Sequence, residues 1–190
     1  MLRDLLRKNR SYRRFVADFS IDRSCLEELI ALTRLAPSAA NLQPLKYLLI
    51  CQQEDNDKIF PCLKWAGYLI DWEGPALDER PAAYIVILQD REIEKRPSLD
   101  HGIAAHTILL GAAERDLGGC MIGSIAKDDL RDRFAIPPRY DILLVVALGK
   151  PHETIVLDEA TGGEIKYWRD ANGVHHVPKR PLSELLYEPN

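Results

Sequence analysis

The chain has 190 residues, 46% of them hydrophobic and 28% charged, with a formal net charge of -4 at pH 7. That balance suits one globular domain, residues 1–190, with a substantial core, and argues against a nucleic-acid partner, which needs an extended basic surface. Cys25, Cys51, Cys62 and Cys120 form no C-x-x-C pair and complete no zinc pattern with the five histidines, and no apolar run is long enough for a signal peptide or a membrane span, so neither metal, disulfide framework nor membrane is expected and the cytoplasm is the expected location.

Leu2, Leu5 and Leu6 recur at helical spacing and predict a short helix ending near Asn9. Arg3, Arg7, Lys8, Arg10, Arg13 and Arg14 crowd the first fourteen positions against Asp4 alone, which favours a small anionic ligand there. For Arg3, Arg7 and Lys8 a solvated helix face explains the charge equally well. Leu26, Leu29, Ile30 and Thr33 predict a second helix stopped by Pro37; Asp22 as N-cap and a Ser24–Glu27 capping box are both compatible with its start. Tyr47 to Cys51 and Tyr84 to Leu88 read as buried strands. Between them, residues 64–75 carry Trp65, Tyr68 and Trp72 without a single period, which predicts a helix breaking into a loop.

Ile103, His106, Thr107, Leu110, Ala113 and Leu117 form one stripe of a long helix beginning near Ser98, with Gly118 as its C-cap. Leu130, Phe134 and Ile136 mark a shorter helix, and Ile142 to Leu148 a central strand. The tail predicts a hairpin, Glu164 to Trp168 and Val174 to Val177, turned by Asp170-Ala171-Asn172-Gly173, with His175 and His176 on opposite faces. A last helical turn spans Leu182 to Leu186. Strands separated by helices without strict βαβ alternation indicate an α+β fold.

Two segments carry chemistry. Asn9-Arg10-Ser11-Tyr12-Arg13-Arg14-Phe15 surrounds a serine hydroxyl with guanidinium groups, which match phosphate oxygens through charge-assisted, bidentate contacts. Ala36-Pro37-Ser38-Ala39-Ala40-Asn41-Leu42-Gln43-Pro44 is a turn-rich run whose amides and hydroxyl can read the edge of a planar heterocycle. The common nucleotide motifs fail: Gly118, Gly119 and Gly123 are expected to follow a helix rather than a strand, and Gly149-Lys150 lacks the upstream glycine of a P-loop. No Ser-His-Asp, Cys-His or paired-carboxylate spacing stands out, so no catalytic side chain is assigned; His101 and His106 read as structural.

Further along, in the same order, come Asp100-His101-Gly102-Ile103-Ala104-Ala105, Asp116-Leu117-Gly118-Gly119-Cys120-Met121-Ile122-Gly123, Leu143 to Pro151, and Pro178-Lys179-Arg180-Pro181-Leu182. Together these segments make nearly the whole chain resemble the nitroreductase family of FMN-dependent oxidoreductases. The resemblance implies a nitroreductase-like α+β fold, its central sheet mostly antiparallel and flanked by helices, in an intertwined homodimer with FMN at the interface. It implies that Arg10, Ser11, Lys179 and Arg180 hold the FMN phosphate, and that Arg13 lies near the pyrimidine end of the ring. Gly123 and Ser124 would bring backbone amides toward the reactive N5, while Pro37, Ser38, Ala39 and Asn41 would reach the flavin of the other subunit.

The reaction so implied is ping-pong hydride transfer from NADH or NADPH through flavin N5 to a nitroaromatic, quinone or similar small acceptor, with the cofactor carrying the hydride. This chain departs from the family pattern at Leu45, where an aromatic residue usually follows Gln-Pro, and at Asp116, where glycine usually precedes Leu-Gly. It also has no room for a long lid. Trp65, Tyr68 and Trp72 could wall the cleft or fill the core. The alternatives are a flavin reductase or another reductive enzyme on the same fold, and a non-catalytic FMN-binding protein. If the basic cluster merely binds an anion or a partner protein, the purified protein would be colourless.

Overall fold

The computed structural model describes residues 2–96 and 99–189. Its central sheet grows from the two longest apolar runs of the sequence. β2 (Ala83–Asp90) pairs with β4 (Tyr140–Gly149), β1 (Leu45–Ile50) flanks β2, and β3 (Gly118–Ile122) flanks β4, so the order is β1-β2-β4-β3 with every pairing antiparallel. All of β2 is buried because both faces of the sheet are covered. Tyr84, Val86 and Leu88 share a core with Ile50, Ile59 and Leu130, whereas Ile85 and Ile87 pack with Leu26, Leu29 and Ile108. This is the alternation a strand imposes, with apolar residues required on both sides of a two-faced sheet.

The helices sit where their caps put them. α1 spans Leu2–Lys8, and α2 spans Arg23–Thr33 with Asp22 as its N-cap: the Asp22 carboxylate accepts the Cys25 N–H at 2.7 Å and the Ser24 hydroxyl at 3.0 Å, so the capping box is not used. α3 (Gln53–Ile59) escapes the sequence reading because it is polar apart from its last residue. α5 (Lys127–Arg133) ends before Ile136. Residues 64–75 form no helix; turns carry Trp65 and Trp72 onto the core and leave Tyr68 half-exposed.

α4 (Asp100–Glu114) corrects the sequence reading at its buried face and at its C-cap. Ser98, near which it was expected to start, lies outside the described residues. Its buried face is Ala104, Ala105, Ile108, Leu109 and Ala112, while Ile103 and His106 are exposed. The helix is apolar nearly all round, so periodicity alone selects no inner face. Finally, Asp116, at φ 57°, takes the left-handed position after the helix, and Lys8 Nζ holds its carboxylate at 2.5 Å. Aspartate tolerates that region, so this turn needs no glycine. Gly118 and Gly119 instead open β3, where a Cβ on Gly119 would lie 2.0 Å from the Ala147 carbonyl oxygen.

The tail builds a second sheet of β5 (Ile155–Glu159), β6 (Trp168–Arg169) and β7 (His175–Lys179), with β7 parallel to β5 and antiparallel to β6. The hairpin is shorter than expected, and Asp170 Oδ1 closes its turn by accepting the N–H groups of Asn172 and Val174. β5, half-exposed and without clean alternation, was not legible in the sequence. α6 (Leu182–Leu185) follows. Residues 10–15 run between the two sheets: Ser11 bridges to Gly119, Phe15 bridges to Pro151 and is fully buried, and Arg14 O accepts the His152 N–H at 2.9 Å. No helix among the described residues is long and apolar enough to cross a membrane.

Candidate functional site

Arg10 and Ser11 leave the end of α1 and share a cleft with Lys179 of β7, closed by His106 of α4 and by Met121 and Ile155. Ser11 is fixed there by its bridge to β3, with the next residue, Tyr12, donating its N–H to Gly119 O at 3.0 Å. No carboxylate among the described residues lines this cleft. Arg10 Nη2 donates to Leu6 O, but among the described residues its buried Nε has no partner and the Lys179 ammonium has none. A guanidinium, an ammonium and a hydroxyl with unspent donors suit a phosphate-sized anion. Arg180 turns away and pairs with Glu184 at 2.7 Å.

Arg13 lies against the tail rather than on this cleft. Its Nη1 is 3.2 Å from Ser11 O and 3.4 Å from His175 Nε2, and its guanidinium stands 5.0 Å over the Tyr167 ring. The backbone N–H groups of Arg13 and Arg14 both donate to Glu153 Oε1, and Arg169 Nη2 reaches Glu153 Oε2 at 3.0 Å. His175 is 1% exposed. Burial first, and the Arg13 charge second, push its pKa down from 6.5 to about 4, so the ring is neutral at neutral pH. Its contact with Arg13 assigns Nε2 as the acceptor and leaves Nδ1 as a buried group without a partner among the described residues. Cys120, under the same segment, is buried and its thiol is pushed up to about 12, which removes it as a nucleophile.

The second segment is held by Asp100 at the start of α4. Ser38 Oγ donates to Asp100 Oδ2, the Ala39 N–H reaches Oδ1 at 3.2 Å, and Ser38 Oγ in turn accepts the Gln43 N–H at 2.9 Å. Within this turn Ala40, Asn41 and Gln43 all take positive φ, at 48°, 56° and 51°. Left-handed alanine and glutamine cost about 1–2 kcal/mol each, a strain the anchoring bonds must offset. Pro37, Ser38 and Asn41 line a cavity of about 230 Å³ together with Arg34, Tyr47 and Asp100. Ala39 faces an adjoining hollow with Leu42 and Leu99.

Within one chain the two segments open on different cavities. α4 contributes Ile103 and Ala104 to one and His106 and Leu109 to the other. Between them lies a shallow apolar face formed by Leu5, Leu32, Leu35, Ile103 and Leu110, with Leu35 85% exposed. Gly123 and Ser124 follow β3 at the surface; a Cβ on Gly123 would meet nothing within 4 Å, and Ser124 O accepts the Lys64 N–H at 3.0 Å. Sequence reasoning assigned no role to Asp100, Met121 or Glu153. Strand alternation after Cys120 could have found Met121; nothing local singles out Glu153.

The profile of the nitroreductase family matches residues 6–150. A protein of Archaeoglobus fulgidus, provisionally named NADH dehydrogenase/NAD(P)H nitroreductase, is 27% identical over 148 residues, covering 74% of this chain and 80% of its own. Among solved structures, one from Exiguobacterium sibiricum, provisionally described as a nitroreductase and in complex with FMN, is 18% identical at TM-score 0.65, covering 80% of this chain and 89% of its own. A nitroreductase family protein of Clostridium difficile 630, also 18% identical, reaches TM-score 0.69 over 98% of this chain and 97% of its own, so the likeness in fold includes the tail.

Proposed function

Because this chain belongs to the nitroreductase family, we propose that it is an FMN-dependent oxidoreductase that takes hydride from NADH or NADPH and passes it to a nitroaromatic, a quinone or a similar small acceptor. The observation that carries this reading is the meeting of Arg10, Ser11 and Lys179 in one cleft that no carboxylate of the described residues lines. Arg10 Nε and the Lys179 ammonium, both without a partner among the described residues, fit the phosphate of FMN. When bound, FMN supplies the hydride chemistry at its N5. Met121, exposed on β3, provides an apolar wall, and beyond it Gly123 stands beside open space with the exposed Ser124 next to it. Arg13, held by Ser11 O and His175, sets a fixed positive charge for the pyrimidine end of the ring. No titrating side chain is assigned to the chemical step; Cys120 and His175 are buried and electrically neutral.

The working unit is a homodimer in which Pro37, Ser38, Ala39 and Asn41 complete the site of a second copy. Two features support it: these residues and the phosphate cleft occupy different cavities in one chain, and α4 carries apolar residues on its outward face, as a helix buried all round does. We place the enzyme in the cytoplasm, where reduced nicotinamide is supplied, as a single domain of residues 1–190. A dedicated flavin reductase shares every feature named here.

The decisive measurement is the visible spectrum of the purified protein. Flavin bands that bleach with NADH or NADPH under anaerobic conditions are expected, followed by parallel double-reciprocal plots when donor and acceptor are varied. A colourless protein that takes up no added FMN would overturn the proposal. A flavin that binds but is never reduced would leave a storage or sensing protein. His101→Ala and Cys120→Ala should keep turnover within about a hundredfold of the unaltered enzyme, the lower scale of general acid–base assistance.

A further inference from the structure

Glu153 lies beyond the stretch matched by the family profile, and its carboxylate is 2% exposed. A buried carboxylate is costly unless its oxygens are satisfied. Here Oε1 takes the successive backbone N–H groups of Arg13 and Arg14, and Oε2 takes Arg169 Nη2 at 3.0 Å. Arg169 is itself pinned, with its guanidinium 4.3 Å over the Trp72 ring. Two consecutive amides bound to one oxygen fix the backbone of Arg13 and therefore the direction in which its side chain leaves. Ser11 O, His175 Nε2 and the Tyr167 ring then hold the guanidinium. The tail thus grips Arg13 at both ends.

We propose that Glu153 is a positioning residue for the redox step, orienting Arg13 so that its charge favours reduced over oxidised FMN. This rests on the functional reading above. Reduction adds negative charge to the flavin ring, so a cation held in place beforehand stabilises the reduced form selectively and needs no reorganisation when the charge arrives. A loosened Arg13 would spread over rotamers turned toward solvent and lose that selectivity, while the phosphate contacts of Arg10, Ser11 and Lys179, which do not distinguish the redox states, would remain. A purely structural Glu153 would weaken both forms of FMN equally.

The test compares dissociation constants for oxidised and two-electron-reduced FMN, or equivalently the midpoint potential of bound FMN, in the full-length protein. Glu153→Ala should shift the ratio of the two constants against the reduced form by about tenfold, the lower range for losing a hydrogen bond to a charged group. That lowers the potential by about 30 mV for a two-electron couple. Arg13→Gln should give a similar shift, and the double variant should add nothing further, because the two residues act through one charge. Glu153→Gln, which keeps one acceptor oxygen for the two amides, should shift the ratio less and supplies the same test where the alanine variant does not fold. An unchanged potential in FMN-loaded Glu153→Ala or Glu153→Gln, or fully additive shifts in the double variant, would overturn the inference. Failure of the unaltered protein to bind FMN would overturn the functional reading and this inference together.

Discussion

Ser38 is fastened to Asp100, 62 residues further along the chain, by a hydrogen bond from its hydroxyl to Oδ2. The same carboxylate takes the Ala39 N–H, so one buried side chain holds the start of a turn that contains three left-handed residues. Asp100→Asn cannot satisfy both donors, because one carboxylate oxygen becomes an amide donor. The expected loss is about 1–3 kcal/mol of stability, the range for leaving a buried hydrogen-bonding group unsatisfied. Urea denaturation reads it directly. FMN occupancy should fall as well, while binding of inorganic phosphate at the Arg10 cleft is unchanged; loss of both together would mean that the two segments are not separate elements.

Lys179 and Arg180 are neighbours with different surroundings. Lys179 faces the Arg10 cleft without a partner among the described residues, whereas Arg180 is engaged with Glu184. Arg10→Ala and Lys179→Ala should each weaken FMN binding by about 1.5–3 kcal/mol, the range for a hydrogen bond to a charged group. Riboflavin, which lacks the phosphate, should bind nearly as before. Arg180→Ala should cost less than either. An Arg180 effect as large as that of Lys179, or equal losses for FMN and riboflavin, would remove the phosphate assignment.

The parts of the fold legible in the sequence are those where local chemistry and tertiary need agree. β2 and β4 are continuous apolar runs, and Asp22 sits one residue before α2 as a capping side chain. α3 was missed because its polar sequence lies on the surface, with only Asn56 and Ile59 buried. The inward face of α4 differs from the sequence reading because apolar residues occupy its outward face too, so periodicity does not distinguish the two. The convergence of Arg10 with Lys179 followed from resemblance, whereas Glu153 could not have been found, since its partners lie 139 and 140 residues away and no local pattern marks a carboxylate for burial.

A composite site gives a complementation pattern. A heterodimer of Arg10→Ala and Asn41→Ala chains should hold one intact and one doubly altered site if, as proposed, the phosphate cleft and the Asn41 turn of each site come from different chains. Its FMN titration should therefore be biphasic. Leu110→Arg, placed on the outward apolar face of α4, should shift the protein toward monomer in sedimentation and lower FMN occupancy with it. A monomer that binds FMN as tightly as the dimer would refute the shared arrangement.

His175 should set the acid side of the stability profile. Its pKa falls from the ordinary 6.5 to about 4 on folding, chiefly through burial and then through Arg13, with Arg169 and His176 acting in the same direction and Glu153 opposing. Between these two values the unfolded chain binds a proton that the folded chain excludes, so stability rises with pH across this window. The contribution is fully present above about pH 6.5, is lost as pH falls toward 4, and amounts to on the order of 3 kcal/mol. Asp22, Asp90 and Asp116, whose pKa values are lowered below 3.8, lose their contributions only at more acid pH. Urea denaturation from pH 4.5 to 7.5 should give a steep slope for the unaltered protein and a flatter one for His175→Gln, which carries no titrating ring and is less stable at pH 7.5 through lost packing. Equal slopes for the two proteins would show that His175 is not the group whose protonation unfolds the chain.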